Sequence, residues 1–110
     1  MEKVVFDGDN FKKKSFSFIP GVDYKALDET EIGKEIEIAV KDDHGNEVAI
    51  AFEVTRNAYL GKRQHWLYGS VRSTDGIYRQ IEIRRHKNKP HLDSVDVFPQ
   101  APPLLIQKLR

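Results

Sequence analysis

The sequence predicts a mainly β protein, a small antiparallel β-barrel or strongly curved sheet of six or seven strands with a short C-terminal helix or tail. Three observations predict it. Apolar side chains alternate with polar ones over Ile36, Ile38 and Val40, and again over Val48, Ile50, Phe52 and Val54, the period of a half-buried strand. The run Ser73-Thr74-Asp75-Gly76 separates two further β-rich stretches, and Asp-Gly in that setting is a strong hairpin signal. Turn clusters recur at short intervals along the chain. Short, closely spaced strands suit an antiparallel architecture, and closing it into a barrel removes exposed edges.

In chain order, Lys3 to Phe6 is a short apolar run ended by the turn cluster Asp7-Gly8-Asp9-Asn10. A strand is predicted from about Lys14 to Ile19, with Phe16 and Phe18 on one face and Pro20-Gly21 ending it. From Val22 to Gly33, Asp23 is placed to cap a helical turn through Leu27 and Asp28 to cap another; the alternative is an irregular connection. The first hairpin runs from Lys34 to Thr55 and turns at Asp42-Asp43-His44-Gly45-Asn46. Arg56 to Gln64 is read as a connection with an exposed basic tip at Gly61-Lys62-Arg63. The second hairpin joins Trp66–Arg72 to Ile77–Arg85. Ile77, Ile81 and Ile83 should face inward; Arg79 shares that face, which marks a rim or a bulge. His86 to Pro90 is a second basic loop, and His91 to Phe98 a weaker strand. Pro99 to Pro103 should break regular structure before LLIQKLR, which suits a short helix beginning near Pro103. Leu105, Ile106 and Leu109 would plug an open end of the barrel or serve as a homodimer contact.

A length of 110 residues fits one domain spanning 1–110, with 99–110 as a proline-rich tail. Cysteine is absent, which excludes disulfides, thiolate zinc sites and cysteine nucleophiles. No apolar run is long enough to span a membrane, and the acidic N-terminus does not resemble a signal peptide. The expectation is a cytoplasmic protein with no membrane association.

The net charge of +1 hides a strong asymmetry. Residues 1–55 carry 7 Lys and no Arg against 13 acids, while residues 56–91 carry 9 Lys plus Arg against 2 acids. Either acidic and basic strands neutralise one another across the sheet, or the basic stretch forms a directed electrostatic surface. In the second case Arg63, Arg72, Arg79, Arg84, Arg85, Lys87 and Lys89 would contact phosphates, and Trp66, Tyr68 or Tyr78 would stack on bases. Lys and Arg bind phosphate backbones with release of counterions, and exposed rings stack on unpaired bases. Trp66 alternates into a strand, which favours a core position for it, whereas Tyr78 shares its face with Gln80, Glu82 and Arg84 and should be exposed.

Three stretches between Ile36 and Phe98 resemble a WYL domain, an SH3- or Sm-like barrel of bacterial and phage regulators. They are the opening hairpin IEIAVKDDHGNEVAIAFEV, the strand start His65-Trp66-Leu67-Tyr68-Gly69, and the arginine-containing strand Tyr78 to Arg85. The resemblance implies ligand or nucleic-acid sensing through Trp66, Tyr68, Arg79 and Arg84 or Arg85. The order Trp-Leu-Tyr departs from the family pattern, because it sets Leu67 on the opposite face.

Enzymatic signals are sparse. His86 and His91 match no metal-ligand spacing and sit among cations, so neither a metal nor another cofactor is expected. Gly76-Ile77-Tyr78 matches the start of a GIY-YIG nuclease motif whose second half does not follow. A small ribonuclease would take its base from His65, His86 or His91 and its cations from Arg79, Arg84 or Arg85. The preferred expectation is a non-enzymatic module binding nucleic acid, single-stranded by preference. The alternative is a regulator or inhibitor of the phage or mobile-element type that docks the same face on an acidic protein surface. A ribonuclease comes third.

Overall fold

The computed structural model of the chain describes residues 1–6, 12–72, 76 and 78–100, and of residues 72 and 100 the backbone alone. Six strands follow one another around a closed barrel: β1 (Lys14–Phe18), β2 (Glu35–Lys41), β3 (Glu47–Leu60), β4 (Gln64–Arg72), β5 (Tyr78–His86) and β6 (Ser94–Gln100). Each is antiparallel to its neighbours, and β1 closes the ring on β6. A short α-helix, α1 (Tyr24–Glu29), lies between β1 and β2. The barrel form is the fold class that the alternation predicts.

The core is the inward half of each alternating strand. Ile38 and Val40, Ile50, Phe52 and Val54, Leu67 and Val71, Ile81 and Ile83, and Val95 and Val97 are all buried. Gly69 occupies an inward position of β4 because nothing larger fits: a Cβ there would overlap the Phe52 ring and crowd the Glu53 carbonyl. The β2–β3 turn is held by Asp42, whose side chain accepts from the backbone N–H groups of His44 (3.0 Å) and Asn46 (2.9 Å). Gly45 supplies the positive φ of 82° that this turn requires.

Two bulges reset the pattern. β3 runs on to Leu60, well beyond the expected end at Thr55, because Arg56 to Leu60 pair with β4; a register shift between Val54 and Arg56 leaves Thr55 as an extra residue. The shift flips the phase, so Asn57 and Tyr59 share the face of the inward residues Leu67 and His65 opposite them. The second shift, between Arg79 and Ile81 opposite β6, is the irregularity that an inward arginine suggested. β6 continues through Pro99 to Gln100 instead of ending at the proline. The shift falls beside Pro99, which has no N–H to give to a ladder.

The remaining edge of β3 is covered from the N-terminus. Lys3 bridges Ala49 in parallel, with Val4 N–H to the Ala49 carbonyl and Ala49 N–H to the Glu2 carbonyl, both 2.9 Å. Helix α1 is capped by Asp23, which accepts from Ala26 N–H at 3.0 Å. It drives Leu27 into the core and continues through Asp28, which does not cap a second turn.

The expected turns at 7–10 and 73–75, the inward Ile77, and the tail with Leu105, Ile106 and Leu109 lie outside the described residues. Among the described residues, no helix is long and apolar enough to cross a membrane.

Charge is distributed by wall rather than cancelled strand by strand. In the β2–β3 hairpin Glu35 faces Glu53 directly, and β2 lies three places from β5 around the ring. Among the described residues the basic stretch 56–91 makes two ion pairs with Asp or Glu, Arg84–Glu82 and Arg85–Asp28.

Candidate binding site at the mouth of the barrel

The end of the barrel formed by the β3–β4 tip and the β5–β6 connection is an open mouth. Its cross-strand rows follow from the register. Tyr59, His65 and Arg85 form one row, and Ala58, Trp66 and Arg84 form the next. Successive rows face opposite sides, so the first lines the mouth and the second lies on the outer wall.

The inner row is tied together. The Tyr59 and His65 rings stack at 4.5 Å with 25° between their planes. Asn57 Nδ2 donates to the carbonyls of Asp28 (3.2 Å) and Thr30 (2.8 Å), which satisfies carbonyls left over at the end of α1. Its Oδ1 therefore accepts, and the donor is His65 Nε2. With the proton on Nε2, His65 Nδ1 accepts from Arg85 Nη2 at 2.9 Å. The Arg85 guanidinium also donates to the Asp28 carboxylate and lies over the Tyr24 ring at 4.8 Å. Asp28 Oδ1 sits 3.4 Å from His65 Nδ1, a contact that becomes an ion pair only if the imidazole is protonated.

Burial holds the His65 pKa below its ordinary value, in keeping with a neutral ring that is 4% exposed. Burial also pulls Arg85 down from its usual range, with the charges of Asp93 and Tyr24 acting in the opposite direction.

Above this floor is a cleft of about 370 Å³, lined by Tyr24, Tyr59, Lys62, Arg63 and Lys87 among others. Lys87 N–H donates to the Arg63 carbonyl at 2.7 Å, so the two basic loops meet at one rim. Lys62, Arg63, Lys87 and Lys89 are exposed, and none forms an ion pair with a described residue.

The expected site residues fall into three places. Arg63, Arg85 and Lys87 come together at the mouth, with Lys89 in the same turn, its N–H bonded to the His86 carbonyl at 3.2 Å. Trp66, Tyr68 and Arg84 stand on the outer wall next to it. Trp66 is half-buried there rather than in the core, because Leu67 takes the inward position. The Arg84 guanidinium lies 4.6 Å from the Trp66 ring and 2.7 Å from Glu82, and Arg56 lies 5.7 Å from the Tyr68 ring. Burial and the Glu82 charge raise the Tyr68 pKa, against opposing effects of Arg84 and Arg56.

Arg72, Tyr78 and Arg79 belong to the far end. Tyr78 is exposed, as expected, but is paired with Arg72 away from the mouth. Arg79 is 3% exposed and donates to the Phe6 carbonyl inside the barrel, so it has no surface to offer a polyanion. The side chain of Arg72 lies outside what is described.

Tyr24, Asp28, Asn57 and Tyr59 were not singled out from the sequence. The phase flip at Thr55 hides Asn57 and Tyr59, and α1 reaches the mouth only through the fold. No cluster of His, Cys, Asp or Glu able to hold a metal ion occurs among the described residues. No protein-family model, curated protein or solved structure matches the chain. The resemblance to WYL domains therefore rests on the three stretches quoted above.

Proposed function

We propose that the protein is a non-enzymatic binding module that takes a single strand of nucleic acid at the mouth of its barrel. The observation that carries this reading is the 2.7 Å bond from Lys87 N–H to the Arg63 carbonyl. It joins two loops whose cations lack carboxylate partners among the described residues at a rim that also presents Tyr59 and Tyr24. Unneutralised cations beside exposed rings are what phosphates and unpaired bases require.

The test is a salt titration of binding to a labelled single-stranded oligonucleotide. Four cations acting on phosphates give a slope of log K against log salt of about −3, and each one removed lowers its magnitude by about 0.7. Absence of binding at low salt would remove the reading.

The outer wall supports a second reading, docking on a protein partner as a regulator or inhibitor. Trp, Tyr and Arg dominate the energetics of protein interfaces, and Trp66, Tyr68, Arg56 and Arg84 stand there together with their charges partly offset by Glu82. A ribonuclease needs a base open to the 2′-hydroxyl. His65 suits this poorly, because both of its ring nitrogens are already engaged.

A further inference from the structure

We propose that the mouth holds one nucleotide unit of the bound strand, its base laid on Tyr59 and its phosphate held at the Arg63–Lys87 rim. This rests on the reading above and specifies it.

The cleft is blind. Its floor is the row of His65 and Arg85, and below that row Leu67, Ile83 and Phe52 are at most 2% exposed. A strand cannot thread the barrel, so it either lies across the rim or inserts a single unit. The volume of about 370 Å³ lies at the lower end of the roughly 300–1,000 Å³ of small-ligand sites.

The floor is also tied together by its own contacts. His65 is held by Asn57 and Arg85, and Arg85 by Asp28 and the Tyr24 ring. Tyr59 spends one face on His65 yet is 57% exposed, which leaves ring surface for a second stacking partner. An acidic peptide would use the cations but leave the two tyrosine rings without a role.

The experiment titrates the full chain with AMP, UMP, adenosine, inorganic phosphate and poly-glutamate, in competition with a labelled single-stranded oligonucleotide. The Tyr59 and His65 ring resonances are followed in parallel. AMP or UMP should displace the oligonucleotide and shift both rings, with adenosine or phosphate alone weaker by about tenfold or more. Tyr59→Ala should weaken the mononucleotide by about tenfold, while Tyr59→Phe, which preserves the stack on His65, keeps it and leaves the thermal midpoint nearly unchanged.

Three results would overturn the proposal. In the first, the oligonucleotide binds but millimolar mononucleotide neither displaces it nor shifts the rings; the strand then lies across the rim and only the pocket is refuted. In the second, poly-glutamate displaces the oligonucleotide and shifts the rings as well as a mononucleotide does. In the third, no oligonucleotide binds, and the underlying reading falls with it.

Discussion

Arg79 and Arg85 stand on one strand, on the same inward face, and end in different chemistry. Arg79 is sealed inside one end of the barrel. Its guanidinium answers the Phe6 carbonyl, and the Phe6 ring packs edge-on against Phe16 at 6.1 Å. Arg85 sits at the other end, under an open cleft, shared between a carboxylate and a histidine. Two cations that read alike in the sequence are thus separated by closure: one end is covered by the N-terminal segment, the other left open between two basic loops. A cation serves as structure where it is enclosed and as a candidate contact where it faces a cavity.

The largest effect should come from the closed end. Arg79→Met removes the guanidinium that donates to the Phe6 carbonyl in a buried site, and should cost about 3 kcal/mol in urea denaturation while leaving oligonucleotide affinity unchanged. A loss of affinity at full stability would break the contrast between the two ends. Between the ends, Gly69→Ala forces Phe52 to move and should cost about 2 kcal/mol.

Arg85→Met should be milder for folding, at about 1 kcal/mol, because its carboxylate partner Asp28 is 38% exposed and can hydrate, and because His65, whose Nδ1 loses a donor, lines the open cleft where water can replace it. The same change should weaken binding. If it proves as costly as Arg79→Met, the two ends do not differ as described.

The pH dependence sharpens the comparison further. His65 is neutral in the folded protein with its pKa held low, whereas in the unfolded chain it titrates near the ordinary value of about 6.5. Below that value the unfolded state gains a proton that the folded state resists. Stability is therefore fully present above about 6.5 and falls as pH drops from there toward the lower folded pKa. His65→Gln should flatten that part of the stability–pH curve. The smallest effect on folding belongs to the rim: Arg63→Ala with Lys87→Ala should leave the thermal midpoint nearly unchanged while weakening binding and flattening its salt dependence.

The barrel itself was legible in the chain. Alternation at Ile36–Val40 and Val48–Val54 specifies which residues face the core, and the inward Arg79 announced the bulge that is found beside it. The site was less so. Thr55 shifts the phase of β3, so the polar run Arg56–Tyr59 reads as a loop when it is strand. Trp66 reads as core because it alternates into a strand, yet Leu67 holds that place. The contact of Asp28 with Arg85 spans 57 positions, a distance over which local pattern carries no information. Charge by itself was a partial guide: it picked out the two loops that meet at the mouth, but it could not separate a buried arginine from an open one.

The most direct test is to map an oligonucleotide on the protein by backbone and side-chain chemical shifts. The account predicts that the shifts gather at Tyr59, Lys62, Arg63, Lys87 and Lys89, and spare Tyr78 and Arg79. Shifts centred instead on Trp66, Tyr68 and Arg56, with the mouth unmoved, would contradict it.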